Sequence, residues 1–196
     1  MSEEIFVWIY FALFIVMILL EVPIGSAMVL SSLLYIVQNG QSFVMFAQKT
    51  ATSFASYSLL AVPAFVFVGC AMNEIGFSDR IFGVAEKAVG HIPGGLGHAN
   101  VLASMIFAGM SGSAMADAGG LGAIEIKAMD DAGYDRGFSV AITAASSGIG
   151  PIIPPSINLV VWGFLAGAST IELFMAGIVP GVLMGLGLML YMYIAV

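Results

Sequence analysis

The sequence predicts an all-α integral membrane protein, a multi-span helical bundle holding one re-entrant helical hairpin and one broken helix. Three observations carry that expectation. Of 196 residues, 60% are hydrophobic and only 9% charged, against about 25% charged in soluble domains, so the chain cannot cover its own surface against water. The charges are spaced so widely that uncharged stretches cover Ile5–Leu20, Val22–Gln48, Thr50–Asn73, Ala88–Ala116, Gly137–Ile171 and Leu173–Val196. Two of these stretches are interrupted by Gly, Ser and Pro clusters that one continuous helix does not tolerate.

The elements follow in order. A spanning helix needs about 20 apolar residues, and spans are expected near 5–20, 23–38 and 58–74. The first begins Met1-Ser2-Glu3-Glu4, acidic where a signal peptide is basic, and reads as a retained anchor. Between Glu74 and His91, Asp79, Arg80, Glu86 and Lys87 alternate with Ile81, Phe82, Val84, Ala85 and Val89, the pattern of an interfacial amphipathic helix. Arg80, Lys87, Lys127 and Arg136 assign their loops to the cytoplasm. Three preceding crossings then place the N-terminus outside.

Both ends of the stretch from Gly90 to Asp131 carry cytoplasm-like charges around an apolar middle rich in small residues. A re-entrant hairpin reconciles the two. Helix from about Ala99 to Ala108 enters, turns within Gly109-Met110-Ser111-Gly112-Ser113-Ala114 and returns through Asp117 to Met129. Non-helical backbone at that depth is tolerated only inside protein or against a cavity, which marks the turn as a candidate site. The run Ser146-Ser147-Gly148-Ile149-Gly150-Pro151-Ile152-Ile153-Pro154-Pro155-Ser156 predicts a second break, two half-helices near 137–148 and 157–168 joined by an unwound stretch. Gly177–Val196 begins a further span in which Gly181 and Gly185 stand four apart, a spacing that allows close helix approach.

Such breaks expose carbonyls to a cation and N–H groups to an anion. Ser111, Ser113, Ser146 and Ser147 add hydroxyl oxygens, a hard set that fits Na⁺ better than a transition metal. Asp117 either charge-balances that cation or caps the returning helix. His91 and His98 flank Pro93-Gly94-Gly95 and read as structural, with no Cys or carboxylate placed for a metal site. The net charge of −7 argues against nucleic acid, and the single Cys70 forms no internal disulfide and reads as a packing residue.

The run Leu102–Asp117, the run Thr143–Ser156, and the flanking Val22-Pro23-Ile24-Gly25, Gly133-Tyr134-Asp135 and Ala176-Gly177-Ile178-Val179-Pro180-Gly181 resemble the large membrane (M, DctM-like) subunit of tripartite ATP-independent periplasmic (TRAP) transporters. The resemblance implies a multi-pass permease of a bacterial or archaeal inner membrane, N-terminus periplasmic. It would work by an elevator-type movement and import organic acids (C4-dicarboxylates, sialic or other sugar acids, keto acids) by Na⁺ symport. It also implies a small membrane (Q) subunit, a periplasmic substrate-binding protein, and no cofactor besides the coupling ion. By the same resemblance Ser111, Gly112, Ser113, Ser146, Ser147, Gly148 and Gly150 frame the cation, to which the position of Asp117 adds a charge-balancing carboxylate, while Ser113, Pro154, Pro155, Ser156 and Asn158 approach the substrate. Gly148 stands where the family usually has Thr, Asn158 where Pro is frequent and Trp162 where Tyr is frequent.

The implied organisation is scaffold helices over 1–75, an arm helix over 76–92, a transport region over 93–170 with the hairpin at 98–130 and the broken helix at 137–168, and a further, truncated span over 171–196. The family carries two inverted repeats, and the sequence is expected to hold only the first, hence half a substrate site. Two other readings compete: a noncatalytic membrane assembly module, and an intramembrane serine protease suggested by Gly109-Met110-Ser111-Gly112. Both histidines precede that serine, against the order a rhomboid protease needs.

Overall fold

The computed structural model describes the backbone of residues 2–195 and the side chains of residues 6–56 and 59–195. Among the described residues there are ten helices and no strand. They form two compact units, Met1–Ser56 and Tyr57–Val196.

The first unit holds α1 (Ser2–Leu19), α2 (Ile24–Gln38) and α3 (Phe43–Phe54). Helix α1 ends where Glu21 takes a left-handed backbone, φ 62°, and Pro23 opens α2 at a position where no backbone donor is needed. The two helices pack together through an edge-to-face pair, Tyr10 and Tyr35, with ring centroids 5.6 Å apart. The Tyr10 hydroxyl donates to Gln38 Oε1. At 15 residues α2 is about 22 Å long, short of a hydrocarbon core of about 30 Å. Helix α3 is not among the elements the sequence predicts. Its polar Thr50, Thr52 and Ser53 turn their hydroxyls back onto the carbonyls of Phe46, Gln48 and Lys49 at 2.8, 2.9 and 2.8 Å, which removes those groups from competition with the helix.

The second unit comprises α4 (Tyr57–Glu74), α5 (Phe77–Val89), α6 (Gly95–Ser111), α7 (Ala114–Asp131), α8 (Arg136–Ser147), α9 (Ile157–Ala166) and α10 (Thr170–Ala195). The expected amphipathic helix is α5: Ser78, Ile81, Phe82 and Ala85 are buried while Asp79, Arg80, Glu86 and Lys87 are exposed. Its apolar face packs on Ala99, Ala103 and Phe107 of α6 and on Leu121 of α7. Helix α6 is the hub, in contact with α4, α5, α7, α8 and α10. Its small residues allow this, because lipid tails are as apolar as leucine and helices in a membrane associate by close packing rather than by escape from water.

Helix α10, 26 residues, is the single described helix that alone is long and apolar enough to cross a membrane. It begins at Thr170 rather than near Gly177 and continues through Pro180, the proline forfeiting one backbone bond without ending the helix. Along one side, Gly177, Gly181 and Gly185 lie against Ile152, Ile153 and Met105, where a Cβ would collide. In return Met192 fills the space at Gly97. The Gly181/Gly185 spacing is therefore a packing device joining α10 to α6 and to the stretch after α8. Its other side exposes Leu183, Leu186, Leu190 and Ile194, as a lipid-facing surface requires.

Candidate functional site

The turn between α6 and α7 is tighter than the sequence predicts. Gly109, Met110 and Ser111 stay helical, and reversal is confined to Gly112 and Ser113. Gly112 ends α6 in the left-handed region, φ 59°, its N–H donating to the Ala108 carbonyl. That conformation favours glycine, and Pro155 O lies 2.6 Å from where a Cβ would stand. Ser113 is extended and N-caps α7 by accepting the Ala116 N–H at 3.4 Å, while its own N–H donates to Ser111 Oγ at 3.4 Å.

The second break lies between α8 and α9, over Gly148–Ser156. Tight backbone bonds use the N–H groups of Ile149, Gly150, Ile152 and Ile153, at 2.9–3.1 Å, and Pro151, Pro154 and Pro155 have none. The carbonyls of Gly148, Gly150, Pro154 and Pro155 accept no hydrogen bond among the described residues. Ser156 is fully buried and N-caps α9, accepting from Leu159 N–H at 3.4 Å and donating to Pro151 O at 2.5 Å.

These two breaks meet. Ile157 N–H, in the first turn of α9, donates to the Gly112 carbonyl at 3.3 Å, and a Cβ on Gly150 would stand 3.3 Å from Ala114 N and Ser113 C. The junction gathers the C-terminus of α6 and the N-termini of α7 and α9, with the C-terminus of α8 three residues from Gly150. Two carbonyl-rich helix ends suit a cation and two N–H-rich ends suit an anion.

Of the expected cation residues, Ser111, Gly112, Ser113 and Gly150 are brought together at this junction. Ser147 is buried and donates to Ala144 O at 3.0 Å. Ser146 faces away from the tip, toward Asn100 Oδ1 at 2.8 Å and Ser104 Oγ at 3.1 Å. Asp117, 1% exposed, has neither carboxylate oxygen hydrogen-bonded, with Ser104 its polar neighbour. Pro154 and Pro155 are half-buried beside the tip, and Asn158 is exposed on α9. Sequence reasoning missed Asn100, Ser104, Thr143 and Glu125, all buried. The signal was present: Asn100 and Ser104 are four apart, Thr143 and Ser146 three apart, and Asp117, Leu121, Glu125 and Met129 form one four-residue series.

Comparison with known proteins settles the family. Residues 11–196 match the family model of the tripartite ATP-independent periplasmic transporter, DctM component. The chain belongs to that family. The DctM family is one of transporter permeases rather than enzymes, which displaces the protease reading. Among relatives of this DctM chain, the sialic acid TRAP transporter permease protein of Haemophilus influenzae is 46% identical over 188 residues, covering 95% of the chain and 30% of the relative. The sialic acid large permease protein of Vibrio cholerae is 45% identical over 172 residues, 87% of the chain and 40% of the relative. The C4-dicarboxylate large permease protein of Pseudomonas aeruginosa is 44% identical over 138 residues, 70% and 32% respectively. The chain thus spans 30–40% of the length of these relatives.

Proposed function

We propose that this DctM chain supplies the hairpin and broken helix of a Na⁺-coupled organic-acid permease. The observation that carries the reading is the Ile157 N–H bond to the Gly112 carbonyl, which joins the tip of one break to the start of the helix beyond the other. Unpaired carbonyls of Gly148 and Gly150, the hydroxyls of Ser111, Ser113 and Ser147, and the carboxylate of Asp117 provide oxygens of the type a hard cation takes. Ser146, turned toward Asn100 and Ser104, adds no oxygen to this set. The N-termini of α7 and α9, with Pro154, Pro155, Ser156 and Asn158 around the latter, supply N–H groups suited to a carboxylate. In this reading α6 and α7 form a re-entrant hairpin, and α4–α10 include the part that carries substrate in an elevator-type movement. The scaffold, arm and transport regions divide near residues 75 and 92. The N-terminus is periplasmic and the membrane is an inner membrane. A small membrane subunit and a periplasmic binding protein complete the assembly, and the second inverted repeat supplies the facing half of the substrate site.

The test is Na⁺-driven uptake of radiolabelled sialic acid and of succinate into proteoliposomes. The chain alone is compared with the chain joined to the remainder of a relative's permease, each with small subunit and loaded binding protein. Uptake that requires an inward Na⁺ gradient is expected for the joined form. Uptake that is indifferent to Na⁺ would overturn the coupling, and uptake by the short chain alone would overturn the need for a second repeat.

A further inference from the structure

One set of buried polar side chains lies outside the junction and joins the two elements that build it. Asn100, on α6, is fully enclosed. Its Nδ2 donates to Thr143 Oγ1 at 2.6 Å, and its Oδ1 accepts from Ser146 Oγ at 2.8 Å. Ser146 shares its one proton between Asn100 Oδ1 and the Thr143 carbonyl at 3.0 Å, and it receives Ser104 Oγ at 3.1 Å. Asn100 and Ser104 are one turn apart on α6, Thr143 and Ser146 one turn apart on α8, so the four side chains form a two-rung ladder.

A carboxamide donates at one end and accepts at the other. Sliding α6 past α8 by a single residue, about 1.5 Å, would misalign both rungs and weaken their hydrogen bonds in an apolar interior. The upper rung is one residue below the end of α8 and four below Gly150, whose Cα faces Ser113 and Ala114 of the tip. The register of α6 on α8 therefore sets the distance between the tip and the unwound carbonyls. We infer that Asn100 is a positioning residue for the proposed cation site, acting through Thr143 and Ser146 to hold the hairpin and the half-helix α8 in the register that site requires. This inference rests on the Na⁺ reading above.

The test is the Na⁺ concentration giving half-maximal thermal stabilisation of the chain in lipid nanodiscs, choline replacing Na⁺ to hold ionic strength. Asn100→Leu keeps the approximate size and removes both the donor to Thr143 and the acceptor for Ser146. Thr143→Val keeps the shape and removes the acceptor. Both are expected to raise the half-saturating Na⁺ about tenfold, the scale of one mismatched hydrogen bond. Thr143→Ser restores the hydroxyl and is expected to restore the Na⁺ response, although it loses the methyl packed at Gly122. Variants that merely loosened the fold would lower Tm without Na⁺ and leave the half-saturation unmoved. Folded Thr143→Val with unaltered half-saturation overturns the inference, as does Thr143→Ser behaving like Thr143→Val, which would assign the effect to packing. An unmodified chain with no Na⁺ response overturns the cation reading itself, and this inference with it.

Discussion

Gly112 combines two demands that only glycine meets, a left-handed backbone and the Pro155 carbonyl at 2.6 Å from any Cβ. Gly112→Ala is expected to destabilise the chain by about 2–4 kcal/mol, the sum of left-handed strain and a backbone displacement. Thermal unfolding in detergent measures it, and a loss below about 1 kcal/mol would show that the tip relaxes freely. Asp117 presents the opposite case, a side chain whose burial is unfavourable as it stands. A carboxylate with no hydrogen-bonded partner is strongly disfavoured in an apolar interior unless a counter-charge joins it. Asp117→Asn is therefore expected to leave the Na⁺-free chain as stable or more so, and to abolish the increment that Na⁺ adds. Retention of that increment would remove Asp117 from the cation site.

Among the elements, α10 offers a matched pair of glycines for comparison. A Cβ on Gly181 meets Ile153, whereas one on Gly187 meets nothing within 4 Å. Gly181→Ala is expected to destabilise by about 1–3 kcal/mol through overpacking, while Gly187→Ala gains up to about 1 kcal/mol of helix propensity; equal Tm values for the two would refute the notch. The elements also show what could be read from sequence. Charge spacing located α1, α2, α4 and α5, and the Gly-Ser and proline clusters located both breaks. Helix α3 was invisible because its polar residues satisfy themselves against their own backbone. The hairpin turn came out too long because glycine and serine, weak helix formers in isolation, remain helical at Gly109 and Ser111 where α4 packs close, Gly69 beside Ser111. The meeting of the breaks was not legible, since it depends on a tertiary bond between residues 45 apart, Gly112 and Ile157. The spacings within each helix marked Asn100 with Ser104 and Thr143 with Ser146, but their pairing across more than 40 residues was not legible.

For the whole molecule, a cation that binds the folded state alone stabilises it in proportion to the logarithm of its concentration. At a hundredfold excess over Kd the gain is about 2.7 kcal/mol. Na⁺ is therefore expected to raise the Tm of this chain by several degrees where K⁺ at equal ionic strength does not. An equal response to both ions would point to screening of the net charge of −7 and not to a site. The interlock of α6 with α10 bears on a different property, resistance to oxidants. Met105 and Met192 each press a thioether into a glycine notch on the opposite helix, and Met192 is fully enclosed. Oxidation would turn either sulfur into a bulkier, polar sulfoxide in a notch that a single Cβ would already overfill. Peroxide damage at these two methionines would thus prise apart α6 and α10, and α6 is one arm of the turn at Gly112.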